Sequence, residues 1–161
     1  MLDRGELKSS LPERGSILVT VSGEPVMTGW IVSGYFRKRC RDESEYGLLL
    51  AMEGLCDSMG FPQAAFGNRS FGARQKKVQE RKAEGYGEGS LEGIMENEKA
   101  TFIVNVMFRR NATFQGSITW VEKEKTQHFR SAFEMLKLMD EARRQGAQEA
   151  VCWGEAPEPE K

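Results

Sequence analysis

Two stretches of this chain can be laid on each other, and that self-similarity limits the available folds more than any other feature. Ile17-Leu-Val-Thr-Val21 matches Phe102-Ile-Val-Asn-Val106 in pattern. With two extra residues allowed in the second hairpin, Gly29-Trp-Ile31 falls on Gly116-Ser-Ile118, and a spacing of 87 residues (116 minus 29) then holds without gaps. It aligns Ser44 with Ser131, Tyr46 with Phe133, Leu49 with Leu136, Met52 with Met139 and Glu53 with Asp140. Identities are few, but the physical roles coincide.

The second copy shows the plan most clearly. Phe102, Val104, Val106 and Phe108 alternate with Ile103, Asn105 and Met107, the two-residue period of a strand. Arg109-Arg-Asn-Ala-Thr113 is a polar turn, after which Phe114, Gly116, Ile118 and Trp120 alternate with Gln115, Ser117 and Thr119. Pairing Phe108 with Phe114 would put both aromatic-rich rows on one side of the hairpin. A helix follows. Ser131-Ala-Phe-Glu134 is a capping box, and Ala132, Met135, Leu136, Met139 and Ala142 recur at helical spacing. Arg143 and Arg144 suit the negative end of the helix dipole, and Gly146 is the expected stop.

The first copy repeats this less cleanly. Ile17, Val19 and Val21 alternate, Ser22-Gly-Glu-Pro25 turns, and Met27 to Ser33 returns. Gly34 to Arg41 reads as a connector to a helix opening at Ser44 and ending at Gly60, with Pro62 beyond. A lone hairpin is marginal in water. The expected fold is therefore α+β: two ββα repeats merged into a four-stranded antiparallel sheet with both helices on one face. The expected organisation is a single domain over 1–161, with repeats at about 16–60 and 101–147. A charged, partly flexible linker is expected at 61–100 and a disordered tail at 154–161. Within the linker, residues 69–82 hold six bases against Glu80, with a short helix expected over Gly72–Lys82, and residues 84–98 hold five glutamates and no base.

Composition excludes several functions. The 23 Lys and Arg balance 24 Asp and Glu, for a net charge of −1, so no global attraction to nucleic acid or anionic membrane is expected. No apolar run reaches the length of a membrane span, and Met1–Glu6 offers no signal-peptide core. Cys40, Cys56 and Cys152 lie far apart, which reads as reduced thiols in a cytoplasmic protein.

Chemistry is hard to assemble from what remains. His128 is the single histidine, which excludes a multi-histidine metal site. It is read as a residue leading into the helix, with Phe129 as a hydrophobic staple. Cys40, between Arg39 and Arg41, is the best-placed thiol for a lowered pKa, yet a lone cysteine is usually inert. Glu53 and Asp140 would have to converge through the repeat to act as a carboxylate pair; a solvated helix face is the simpler reading. Gly85-Tyr-Gly-Glu-Gly89 is surrounded by acids, the wrong field for a phosphate. The expectation is no enzyme, no cofactor and no metal.

Local basic clusters leave an alternative open. Arg37, Lys38, Arg39 and Arg41 sit beside Tyr35 and Phe36, while Arg74, Lys76 and Lys77 form a second group. Arg109 and Arg110 at a hairpin tip are positioned to reach phosphates. RNA or DNA binding through these residues is the second expectation. The first is an interaction or regulatory module whose partner is a protein, self or heterologous. It would use a sheet edge or the mixed face formed by Ile103, Asn105, Met107, Gln115, Ser117 and Thr119.

The run from Phe102 through Phe108-Arg-Arg-Asn-Ala-Thr-Phe-Gln-Gly-Ser-Ile-Thr-Trp120 to Phe129-Arg-Ser-Ala-Phe-Glu-Met-Leu-Lys-Leu-Met-Asp-Glu-Ala142 resembles a group of small bacterial proteins of unassigned function. Leu48–Phe71, with Phe61-Pro-Gln63 and Arg69-Ser-Phe71, resembles that group's N-terminal part, so about two-thirds of the chain is covered. The resemblance implies a free-standing bacterial product and transfers no activity to any residue.

Overall fold

In the computed structural model the described residues are 16–67, 69–72, 82–85, 98–145 and 151–160. They form one antiparallel sheet and two helices, an α+β architecture. The strands are β1 (Ser16–Ser22), β2 (Thr28–Ser33), β3 (Lys38–Asp42), β4 (Glu84–Gly85), β5 (Ala100–Phe108), β6 (Gln115–Trp120) and β7 (Lys125–Phe129). The helices are α1 (Glu45–Met59) and α2 (Ala132–Arg143). The sheet has seven strands in the order β4-β3-β2-β1-β5-β6-β7, not the four expected.

The additional strands are β3, β7 and the two-residue β4. Lys38-Arg-Cys-Arg-Asp42 and Lys125-Thr-Gln-His-Phe129 carry no apolar alternation, because strands far from the centre bury little and leave no periodic signal. Each half of the chain therefore runs βββα, not ββα. From the second strand onward the spacing of 87 matches the elements: Thr28–Ser33 lands on Gln115–Trp120, Lys38–Asp42 on Lys125–Phe129, and Glu45 on Ala132. Leu18 pairs directly with Ile103. Those two positions fall on each other when the two stretches are aligned from Ile17 and Phe102.

Both helices pack on one face. Ile17, Val19, Val21, Phe102, Val104 and Val106 meet Leu48, Met52 and Cys56 from α1 and Met135, Met139 and Ala142 from α2. These side chains alternate along β1 and β5 because only every second residue faces the helices. The helices begin alike. Ser44 Oγ accepts from Gly47 N and Ser131 Oγ from Glu134 N, each at 3.0 Å. The glutamate arm of the expected box instead reaches one residue further back, accepting from Arg130 N at 3.2 Å. α1 stops at Gly60, whose φ of +64° is free of cost only without a side chain; the Gly146 stop expected for α2 lies outside the described residues.

Three expectations need correction. Phe108 does not pair with Phe114. The β5–β6 register shifts between Val106 and Phe108, so Phe108 faces Gln115 and stays 49% exposed while Phe114 is buried. The second face of the sheet is not open along its length, because Leu18, Thr20, Val32 and Thr101 are at most 1% exposed. Of the mixed row on that face, Ser117 is buried and Met107 is exposed. Finally, the region expected as linker contributes structure: Ala64 bridges Arg109, Glu84–Gly85 pair with Lys38–Arg39, and Ala100 opens β5. The short helix expected at Gly72–Lys82 and most of the acidic stretch fall outside the described residues.

The hairpins and helices interlock across the two halves. Arg109, at the end of β5 and 7% exposed, donates through Nε to Pro62 O and through Nη1 to Asp57, both at 2.7 Å. This fastens the β5–β6 hairpin to the end of α1. Arg143, at the end of α2, donates to Gly23 O in the β1–β2 loop and pairs with Asp140. Each half thus holds the other's hairpin through a buried guanidinium.

Candidate functional site

The basic residues singled out from sequence do not converge. Arg37 closes the turn before β3 with φ of +53°, and with Lys38 it is exposed. Arg39 and Arg41 project from the same side of β3 and flank Trp30, at 4.7 and 5.6 Å from the ring centroid. Acids accompany them: Arg41 contacts Glu43 at 3.0 Å and Glu98 at 3.4 Å, and Glu84 stands opposite Arg39 in the backbone register of the β3–β4 ladder. The local field of this cluster is therefore partly cancelled.

Arg109 and Arg110 lie three strands away, about 14 Å at the usual strand spacing. Arg109 was expected at a hairpin tip within reach of phosphates; it is instead buried and spent on Pro62 and Asp57, because the turn proper begins after it. Asn111 and Ala112, with φ of +55° and +56°, make that turn. Arg110 remains exposed, its guanidinium 4.5 Å from the centroid of Phe108. Arg74, Lys76 and Lys77 lie outside the described residues.

The catalytic candidates are dispersed as well. His128 is an exposed residue of β7, opposite Ser117, in the strand that leads into the Ser131 cap of α2. Phe129, beside it, is 2% exposed and belongs to the core. Cys40 is half-buried on β3, its Sγ 3.8 Å from both Arg41 O and an Asp42 carboxylate oxygen. Asp140 is engaged by two arginines. Partial burial would raise its pKa, but the hydrogen bonds and charges of Arg143 and Arg144 prevail and hold the carboxyl below its usual range. It is thus committed to a structural cluster with Arg143 and Arg144. Among the described residues no three His, Cys, Asp or Glu side chains gather as metal ligands would.

Cys56, inside the core, is pushed up to about 11 by burial, only partly offset by the Arg109 charge. The fold therefore favours its protonated form. This contribution to stability is complete below the ordinary thiol pKa of 9.0 and is lost as pH rises towards about 11. Denaturant midpoints of the native chain should fall more steeply over that alkaline window than those of Cys56→Ala. Thiol labelling should run fastest at exposed Cys152, while Cys56 reacts only on unfolding. A Cys40 rate no higher than that of free cysteine excludes an activated thiol there.

What the geometry offers instead is an edge. β7 is the last strand of the sheet, and Lys125, Thr126, Gln127 and His128 are all exposed. Sequence reasoning missed it because an edge strand without apolar residues looks like a loop. The signal that could have found it was the 87-residue offset itself: had Lys38–Asp42 been recognised as a strand, Lys125–Phe129 would have followed.

No family model, no curated protein and no solved structure matches this chain.

Proposed function

We propose that this chain is a non-enzymatic interaction or regulatory module of the cytoplasm, built by duplication of a βββα unit, which engages a protein partner through the edge strand β7. The carrying observation is the exposed, five-residue outer strand at one end of an otherwise well-paired sheet. An edge strand presents a row of backbone donors and acceptors, and adding a strand there is a recurrent mode of recognition. The duplication is supported by equivalent strands, matching serine caps and the direct pairing of Leu18 with Ile103.

The two ends of the sheet differ in a telling way. β3 occupies the position equivalent to β7, and its outer side pairs with β4 through Lys38–Gly85 and Arg39–Glu84. Among the described residues β7 has no such cover.

Backbone amide exchange tests this reading. Alternate amides of β7 should exchange rapidly in the dilute chain and slow when concentrated chain or native cell extract is added. No slowing on β7 under either condition removes the proposal. The second reading, nucleic-acid binding, is favoured by the exposed Arg37 and Lys38 beside the Arg39–Trp30–Arg41 stack and by Arg110 over Phe108. It predicts an electrophoretic shift that weakens steeply with salt and is reduced by Arg37→Ala/Lys38→Ala. Absence of a shift at low salt eliminates it.

A further inference from the structure

We propose that the end of the sheet carrying the β2–β3 and β5–β6 turns docks on an anionic lipid bilayer, its aromatic side chains entering the headgroup layer and its exposed cations meeting the lipid phosphates. This goes beyond the β7 edge and does not depend on it. The placement follows from register. Leu18 faces Val32 of β2 on one side and Ile103 of β5 on the other, and both pairings are antiparallel, so β2 and β5 run in the same direction. Their turns therefore lie at one end of the sheet, three strand spacings or about 14 Å apart. The loop after α1 joins them there, because Ala65 N donates to Arg109 O at 3.0 Å and Arg109 Nε donates to Pro62 O.

This end is both apolar and basic. Tyr35 and Phe36 on the first turn, Met107 and Phe108 at the end of β5, and Phe61 and Phe66 on the loop are each between 38% and 73% exposed. Isolated exposed hydrophobics are ordinary, but such a group at one end of a small sheet marks a contact surface. Arg37, Lys38 and Arg110 are exposed beside them, and among the described residues none of the three forms an ion pair. Of the nearby carboxylates, Asp57 is neutralised by Arg109 and Glu84 stands opposite Arg39, which leaves a local excess of positive charge. The opposite end, with Glu24, Glu43, Glu122 and Glu124, is richer in acids, so a chain of net charge −1 still has one basic end.

The arrangement favours a bilayer over other anionic partners. Cations about 14 Å apart make no compact phosphate pocket, yet a broad anionic surface meets all of them at once. The apolar side chains project from separate turns and line no groove for a peptide. Their rings are also poor platforms for bases: Phe108 carries Arg110 on its face, and Tyr35 and Phe36 pack edge to face with centroids 5.0 Å apart. Protruding aromatics flanked by cations suit the boundary between headgroups and acyl chains.

The experiment is co-sedimentation of the full-length chain with vesicles of phosphatidylcholine, either pure or containing about a third phosphatidylglycerol. The native chain should bind the anionic vesicles and leave the neutral ones, with binding that weakens as salt is raised. Arg37→Gln/Lys38→Gln should lower binding by about tenfold or more, and Phe36→Ser/Phe66→Ser by a similar factor. Lys99→Gln/Lys123→Gln removes the same charge from the opposite end and should leave binding unchanged. All these side chains are on the surface, and circular dichroism checks that each variant is folded. In the unmodified chain, anionic vesicles should slow amide exchange at the two turns and not along β7.

No binding to anionic vesicles, or equal binding to neutral ones, would overturn the inference. So would a phenylalanine pair that makes no difference, a far-end pair as damaging as the Arg37 and Lys38 pair, or slowed exchange on β7 instead of the turns. A chain that shifts with homopolymer RNA while ignoring vesicles supports nucleic-acid binding, and the bilayer proposal fails.

Discussion

Gly116→Ala should be among the most damaging single substitutions in this protein, costing about 3 kcal/mol or more, and Gly29→Ala should behave the same way. A Cβ built on Gly116 would lie 1.9 Å from the carbonyl oxygen of Asn105, and one on Gly29 would lie 1.9 Å from that of Thr20. The obstructing atoms are backbone in the two central strands, so no side-chain rotation relieves the clash; the ladder itself must shift. The two glycines are equivalent under the 87-residue offset, and each pairs with a core valine of the neighbouring strand, Val21 or Val106. Gly54→Ala is the contrasting case. Nothing lies within 4 Å of a Cβ on that exposed residue of α1. Alanine there should stabilise by about 0.5–1 kcal/mol through helix propensity. Urea denaturation of the three variants checks all of this; equal effects of Gly54 and Gly116 would contradict the geometry.

Arg109→Ala should cost about 2–3 kcal/mol, although the residue lies in a stretch that reads as a polar surface turn. The loss comes mainly from the buried guanidinium and from Pro62 O, which would be left without its donor. Asp57 is 62% exposed, so hydration replaces its partner and Asp57→Ala should cost well under half as much. Arg109→Met retains most of the stem and separates lost packing from lost hydrogen bonding. Because Arg109 joins the β5–β6 hairpin to α1, its removal should also speed amide exchange at Pro62–Ala65 and at the hairpin. If Asp57→Ala matches Arg109→Ala, the carboxylate rather than the carbonyl is the partner that matters.

The candidate site was harder to read than the scaffold because its two ingredients leave no hydrophobic trace. β7 contains Lys125, Thr126, Gln127 and His128, and only Phe129 turns inward. A strand at the margin of a sheet gains its place from backbone pairing, and hydrogen-bonding capacity is common to every sequence. Charge was misleading for a related reason. Arg109 and Arg110 are identical in sequence terms, yet the first is enclosed by α1 and the residues after it while the second lies in solvent over Phe108. The difference arises from a chain segment about fifty residues away, invisible to any local window.

Periodicity by itself determined a good deal: the alternation of Ile17, Val19 and Val21 and of Phe102, Val104 and Val106, the serine caps at Ser44 and Ser131, the apolar stripes of both helices, and their place together on one face. These are local consequences of burying one side of a regular element, so a residue's neighbours in the chain suffice to reveal them. Only the tertiary structure decided the number of strands, the bulge that turns Phe108 outward, the burial of Arg109 and the difference between the two outer edges. Each depends on which distant segment supplies a hydrogen-bond partner or withholds one, and a one-dimensional pattern of oily and polar residues does not carry that information.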